Sequence, residues 1–229
     1  MDSFGSVDVV IPNAGVSGDH WAPLQQVDGT LAPPDVKTLE IDLIGVFYTC
    51  QLALHYLVPE RETITPDSIK ALILIGSLST FLTSASWGST SNTPRYINVV
   101  VVYPRPGFLQ YTTAKHGVLG LQRSLSPLCT AKGIRSGSVH PGYVETPMTA
   151  DFIKSGATEG WPMVPIERVA ATCLAVATDP EPSSSEKPWI LGGGVDVERL
   201  DNFGVNDDFY RELGIVIREN LNVAEVTNA

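Results

Sequence analysis

The sequence predicts an α/β fold built on a doubly wound parallel sheet, and three observations carry that prediction. Val7 to Ile11 and Ala71 to Ile75 are short apolar runs, as expected of strands buried on both faces, and Ile134 to Val139 reads as a third strand. Between them lie longer segments whose apolar residues recur at helical spacing, and strands alternating with helices indicate a parallel sheet. Each strand-like run also ends in a turn: Pro12-Asn13-Ala14-Gly15, Gly76-Ser77-Leu78-Ser79 and His140-Pro141-Gly142. In such sheets ligands sit past the carboxyl ends of the strands, so these turns converge on one candidate edge.

Taken in order, Val7 to Ile11 forms the first strand, and residues 16 to 36, rich in proline, glycine and aspartate, form a loop. From about Val36 to Leu57 the residues Leu39, Leu43, Val46, Phe47, Cys50, Leu54 and Leu57 keep helical spacing, and Pro59 stops the helix. Ala71 to Ile75 is the second strand. A second long helix runs from Tyr111 to about Ala131, with Gly133 as its C-cap. Ile134 to Val139 is the third strand and Ile166 to Thr178 a helix. Residues 180 to 188 form a polar loop, Trp189 to Leu191 a fourth strand running into Gly192-Gly193-Gly194, and Phe209 to Asn220 a last helix. No internal repeat is visible, which predicts one domain over residues 1–229.

Composition narrows the function. A net charge of −10 argues against a nucleic-acid or anionic-membrane surface. Cys50, Cys129 and Cys173 lack metal-ligand spacing and read as reduced core residues, so no metal site is expected. The first residues carry no basic region or apolar signal core, and no run reaches membrane-spanning length, which predicts a soluble, cytoplasmic protein.

Chemistry concentrates at Tyr111-Thr112-Thr113-Ala114-Lys115. Residues four apart on a helix share a face, and an ammonium beside a phenol favours the phenolate. A tyrosine so tuned serves as a general acid or base near neutrality. Alone, such a spacing arises readily by chance, and an amphipathic helix with a surface lysine would carry it as well.

In combination, the motifs resemble those of the short-chain dehydrogenase/reductase family. Asn13-Ala14-Gly15 follows the first strand and Ser77 the second. Tyr111-x-x-x-Lys115 opens a helix, and Pro141-Gly142-Tyr143-Val144-Glu145-Thr146 follows the third strand. The resemblance implies a Rossmann-like fold and a catalytic set of Ser77, Tyr111 and Lys115. Tyr111 would exchange the proton of the substrate oxygen, Ser77 would hydrogen-bond that oxygen, and Lys115 would lower the tyrosine pKa and bond the nicotinamide ribose. Asn13, Ala14, Gly15, Tyr111, Lys115, Pro141, Gly142, Val144 and Thr146 would line the NAD or NADP cleft. Read without the family, Ser77 is a turn serine and Thr146 a helix N-cap before Pro147. His140 and His116 resemble framework positions and take no catalytic role.

The sequence departs from the family in three places. The family's glycine-rich first turn is absent, as Val7 already matches the start of its fourth strand. The first three β-α units, on the order of 80–90 residues, are missing, so the fold is expected to be incomplete. The Val7 strand would then be an exposed apolar edge, open to a partner, and cofactor binding by these residues alone would be weak. Second, Ser77 and Tyr111 stand 34 positions apart (111 − 77), far more than the family needs. The surplus, about residues 86–106, reads as an irregular excursion: a flap near the substrate mouth, or sequence translated from an unremoved intron. Third, Asp42 stands where the family commonly has asparagine in a proton relay, and could pair with Lys115 instead.

The resulting expectation is an NAD(P)-dependent oxidoreductase interconverting an alcohol and a ketone, with a place in secondary metabolism. The apolar stretch from Met148 to Pro165, with Trp161 and Met163, suits a small hydrophobic or polycyclic substrate. The family also implies a homo-oligomer joined through the two long helices. The alternative is a truncated homologue without redox activity, acting as a partner subunit or as a cofactor-free acid–base isomerase or cyclase.

Overall fold

A computed structural model describes residues 5–17, 26–58, 69–80, 108–156, 158, 163–179, 186–192 and 198–199. The excursion at 86–106 and the helix expected at 209–220 lie outside the described residues, as does most of the 180–188 loop.

One sheet organises the described chain. Its strands are β1 (Val9–Val10), β4 (Ala71–Ile75), β5 (Arg135–Pro141), β6 (Pro188–Leu191) and β7 (Glu198–Arg199), in that spatial order. A separate small hairpin pairs β2 (Gln26–Val27) with β3 (Thr30–Leu31). The first four strands of the main sheet are parallel, with Val9 beside Ala71, Ala71 beside Arg135 and Ser138 beside Pro188. Only β7 runs antiparallel, an edge strand the sequence reading did not foresee.

The helices cover both faces, as a doubly wound sheet requires. Because strand residues alternate between faces, Leu72 and Leu74 of β4 pack on one side with Val46, Cys50, Ala53, Leu57, Val118 and Ile134. These come from α2 (Val46–Tyr56), α3 (Leu109–Ala131) and their flanks. Ala71 and Ile73 face the other way, packing with Val139, Cys173, Val176 and Leu191, so α5 (Ile166–Thr178) closes that face. Gly137 is needed there, because an added Cβ would stand 2.6 Å from Val176 Cγ1.

Among the described residues β1 is one edge of the sheet, and Val9 and Ile11 are each 40% exposed. The expected apolar edge is therefore present, though the paired strand is shorter than the Val7–Ile11 run.

Two elements differ from expectation in informative ways. Residues 26–31 form a hairpin rather than loop: Asp28 and Gly29 take φ of 52° and 76°, the positive pair a type I′ turn demands. Asp-Gly was the available signal. The first long helix is not uniform. It begins as α1 (Lys37–Leu39), widens into a π-helical stretch at Glu40–Gly45, and continues as α2. Single π turns inside α-helices recur at functional sites, and this one carries Asp42.

Candidate active site

The site is assembled where β4 ends. Gly76 still donates its N–H to the Val139 carbonyl (2.8 Å), but a Cβ there would stand 2.1 Å from His140 Nδ1. Only glycine lets the chain turn past that ring. Ser77 follows, buried, and opens a 3₁₀ turn over Leu78–Thr80, with Thr80 N–H bonded to its carbonyl (2.9 Å) and Ser79 N–H to its hydroxyl (3.1 Å).

Tyr111 lies in the first turn of α3, and the Ser77 hydroxyl hydrogen-bonds its phenol. Lys115 is one turn further along, its Nζ 5.5 Å from the centre of the Tyr111 ring. The helix expected from residue 111 starts two residues earlier and brings the pair onto one face. The three residues expected to be catalytic are thus neighbours at the carboxyl edge of the sheet.

Lys115 is buried, and its Nζ donates to the Ile75 carbonyl at 3.2 Å. It also faces Asp42 Oδ2 at 3.6 Å, an ion pair too long for a direct hydrogen bond. Asp42 is fully buried, and its Oδ1 accepts the Val16 N–H at 2.8 Å. The π stretch sits close to α3 because Gly117 has no side chain, where a Cβ would lie 2.8 Å from Leu43 Cδ1.

In these surroundings the net direction is opposite to the lowering expected beside a lysine: Tyr111 is pushed above its ordinary value of 10.0. Burial is the main cause, the Asp42 and Tyr143 charges add to it, and the Ser77 hydrogen bond opposes it. Burial likewise holds the Lys115 ammonium below its usual range, with Asp42 pulling the other way.

A second buried cluster supports Ser77. His140 Nε2 meets Ser138 Oγ at 2.8 Å, and its Nδ1 lies 3.3 Å from Thr80 Oγ1 and 3.4 Å from the Ser77 carbonyl. Burial drives its pKa down to about 3, so the ring is neutral. Thr80 in turn donates to the Lys115 carbonyl at 3.2 Å, linking the serine turn to α3. His140 is thus tied into the turn that carries Ser77.

The residues expected to line a cofactor cleft arrive from two further turns. Asn13 and Ala14 are exposed past β1, and Gly15 packs against Asp42, where a Cβ would stand 3.3 Å from Oδ2. Past β5, Gly142 N–H bonds the Leu191 carbonyl (2.9 Å), extending Pro141 along β6. Val144 and Thr146 are tied by Thr149, whose hydroxyl donates to the Val144 carbonyl at 2.5 Å and accepts the Thr146 N–H at 3.0 Å. Thr146 does not cap a helix, because α4 (Ala150–Lys154) starts later and Thr149 precedes it. Sequence reasoning missed Thr149. The hydroxyl two residues after Pro147 was its signal.

This donor set fits the nicotinamide end of a dinucleotide. An ammonium carries three donors. Lys115 directs one at Ile75 and faces Asp42 with another, which leaves one for a ligand hydroxyl. A cavity of about 420 Å³ lies apart from Tyr111 and Ser77, lined by Glu145, Thr146, Pro147, Ala150, Ile153 and Lys154. Among the described residues no group of three His, Cys, Asp or Glu side chains could hold a metal ion, and no helix is long and apolar enough to cross a membrane.

Residues 95–156 match the short chain dehydrogenase family. The chain is 28% identical over 200 residues to a mitochondrial borneol dehydrogenase of Lavandula x intermedia, covering 86% of this chain and 65% of that protein. It is 24% identical over 185 residues to a 3-oxoacyl acyl-carrier-protein reductase of Thermotoga maritima, covering 78% and 62%. It is 28% identical over 153 residues to a cyclohexanol dehydrogenase of an Acinetobacter species, covering 66% and 48%. The chain therefore spans less than two thirds of the length of these relatives.

Proposed function

The chain belongs to the short-chain dehydrogenase/reductase family, and from that premise we propose that it carries the acid–base site of an NAD(P)-dependent oxidoreductase interconverting a secondary alcohol and a ketone. The observation that carries the reading is the contact set of Tyr111, with the Ser77 hydroxyl on its phenol and Lys115 Nζ 5.5 Å from its ring.

In the reducing direction Tyr111 gives its proton to the carbonyl oxygen while the Ser77 hydroxyl stabilises the charge developing there. In the oxidising direction the phenolate takes the alcohol proton. When bound, the dinucleotide supplies or accepts the hydride. Lys115, Val144 and Thr146 would hold its nicotinamide end, with Asn13, Ala14, Gly15, Pro141 and Gly142 shaping the cleft. Two relatives are named for borneol and cyclohexanol. Together with the apolar Met148–Pro165 stretch, these names support a cyclic, hydrophobic secondary alcohol as substrate.

Titration of the 229-residue chain with NADH and NADPH, followed by cofactor fluorescence, tests the reading. We expect weak but saturable binding, and no binding at millimolar cofactor would overturn it. With cyclic alcohols as substrates, Tyr111→Phe is expected to lose about 10²- to 10⁴-fold in turnover while cofactor affinity holds.

A further inference from the structure

The buried carboxylate of Asp42 sits on the site's only described lysine. Its Oδ2 is 3.6 Å from Lys115 Nζ, and its Oδ1 holds the Val16 N–H of the turn after β1. Neither side chain reaches solvent to any useful extent: Asp42 is 0% exposed and Lys115 6%. Water therefore screens the pair poorly, and what Tyr111 experiences is the sum of the two groups. The carboxylate therefore offsets the ammonium, whose Nζ lies 5.5 Å from the Tyr111 ring centre. Among the described residues the Ser77 hydroxyl, from the turn after β4, and Tyr143, from the loop after β5, also act on the phenol. His140, behind Ser77, is neutral. Among the described residues, the ammonium beside the phenol is thus matched by a buried carboxylate.

We propose that Asp42 is a positioning residue that offsets the Lys115 charge, keeping Tyr111 a proton-holding phenol and setting the site for carbonyl reduction near neutral pH. The consequence for direction rests on the oxidoreductase reading. The charge offset does not.

Asp42→Asn isolates the effect. Asparagine has the same shape and keeps an oxygen for the Val16 N–H, but leaves Lys115 uncompensated. Tyrosinate formation can be followed by ultraviolet difference absorbance in a pH titration, with the same titration of Tyr111→Phe subtracted. In the native chain Tyr111 should ionise at or above the ordinary tyrosine value of about 10. In Asp42→Asn its midpoint should fall by about one pH unit or more. A native midpoint clearly below 10 overturns the proposal without reference to any variant, and so does an unchanged midpoint in Asp42→Asn.

Turnover supplies the second readout. The alkaline-rising limb of alcohol oxidation should move to lower pH in Asp42→Asn by the same interval, raising oxidation about tenfold at a fixed pH on that limb. A residue of merely structural importance would depress the rate at every pH and leave the limb in place. A shifted absorbance midpoint without turnover in either chain upholds the charge pair and overturns the redox reading. Turnover with an unmoved midpoint does the reverse.

Discussion

Two buried polar clusters flank Tyr111 and Ser77, one charged and one neutral. Against Tyr111, Asp42 and Lys115 meet as an ion pair that ties the π stretch, α3 and the turn after β1 together. Against Ser77, His140, Ser138 and Thr80 form a chain of hydrogen bonds with no charge in it. Both are buried, and Thr80 joins them by donating to the Lys115 carbonyl. The difference separates two tasks. A neutral network fixes geometry and ignores pH over the working range, whereas a charge pair sets the proton affinity of whatever lies beside it.

The largest expected effect comes from breaking the charged side. Lys115→Met would leave the fully buried Asp42 carboxylate without its partner, and breaking a buried pair in that way costs about 3–5 kcal/mol. Urea denaturation should show that loss, and adding Asp42→Asn should restore much of it. If the double variant were as unstable as the single one, the ion pair would not be what holds this region.

On the neutral side the corresponding break is steric. Gly76→Ala would place a Cβ 2.1 Å from His140 Nδ1, on a ring already held at both nitrogens. A side chain fixed in that way has no room to yield, so overpacking should cost about 3 kcal/mol, read from the denaturation midpoint. Substituting His140 by asparagine in the same chain should relieve most of it.

Much of this arrangement could be read before any coordinates. The runs at Ala71–Ile75 and Ile166–Thr178 signalled a strand and a helix because both faces or one stripe are apolar, and both appear over those residues. Ser77, Tyr111 and Lys115 were legible because strand ends and helix spacing place them with little help from the rest of the fold. The proton affinity of Tyr111 was not legible. It depends on Asp42, some seventy residues away in sequence, and on how deeply all three groups are buried, which no local pattern records. The antiparallel β7 escaped for a related reason, since two residues carry too little pattern to name a strand. The π turn escaped because its spacing still reads as helix.

The next effect distinguishes the clusters by pH. His140 has a folded pKa of about 3 against 6.5 for the unfolded chain, so folding excludes its proton. That contribution is complete above about pH 6.5 and is lost as pH falls toward 3, by about 1.4 kcal/mol per unit. Between pH 7 and pH 5 the native chain should therefore lose about 2 kcal/mol more stability than His140→Asn, measured by urea midpoints at each pH. Parallel losses in the two chains would show that the ring is not held neutral by the fold.

The smallest effect tests how tightly the charged cluster is built. Gly15 has no positive φ, and a Cβ there would lie 3.3 Å from Asp42 Oδ2, closer than most such contacts but short of a clash. Asp42 can yield a few tenths of an ångström only by lengthening its bond to Val16 N–H or shifting against Lys115. Gly15→Ala should then cost under about 1 kcal/mol in stability, within the range of ordinary small changes. It should also move the Tyr111 titration slightly, because the carboxylate shifts relative to the lysine. The corresponding small change on the neutral side, Thr80→Ser, keeps the hydroxyl and should leave that titration where it is. Equal shifts from both substitutions would mean that Tyr111 responds to packing in general, and the division between a charged, pKa-setting cluster and a neutral, shape-holding one would fall.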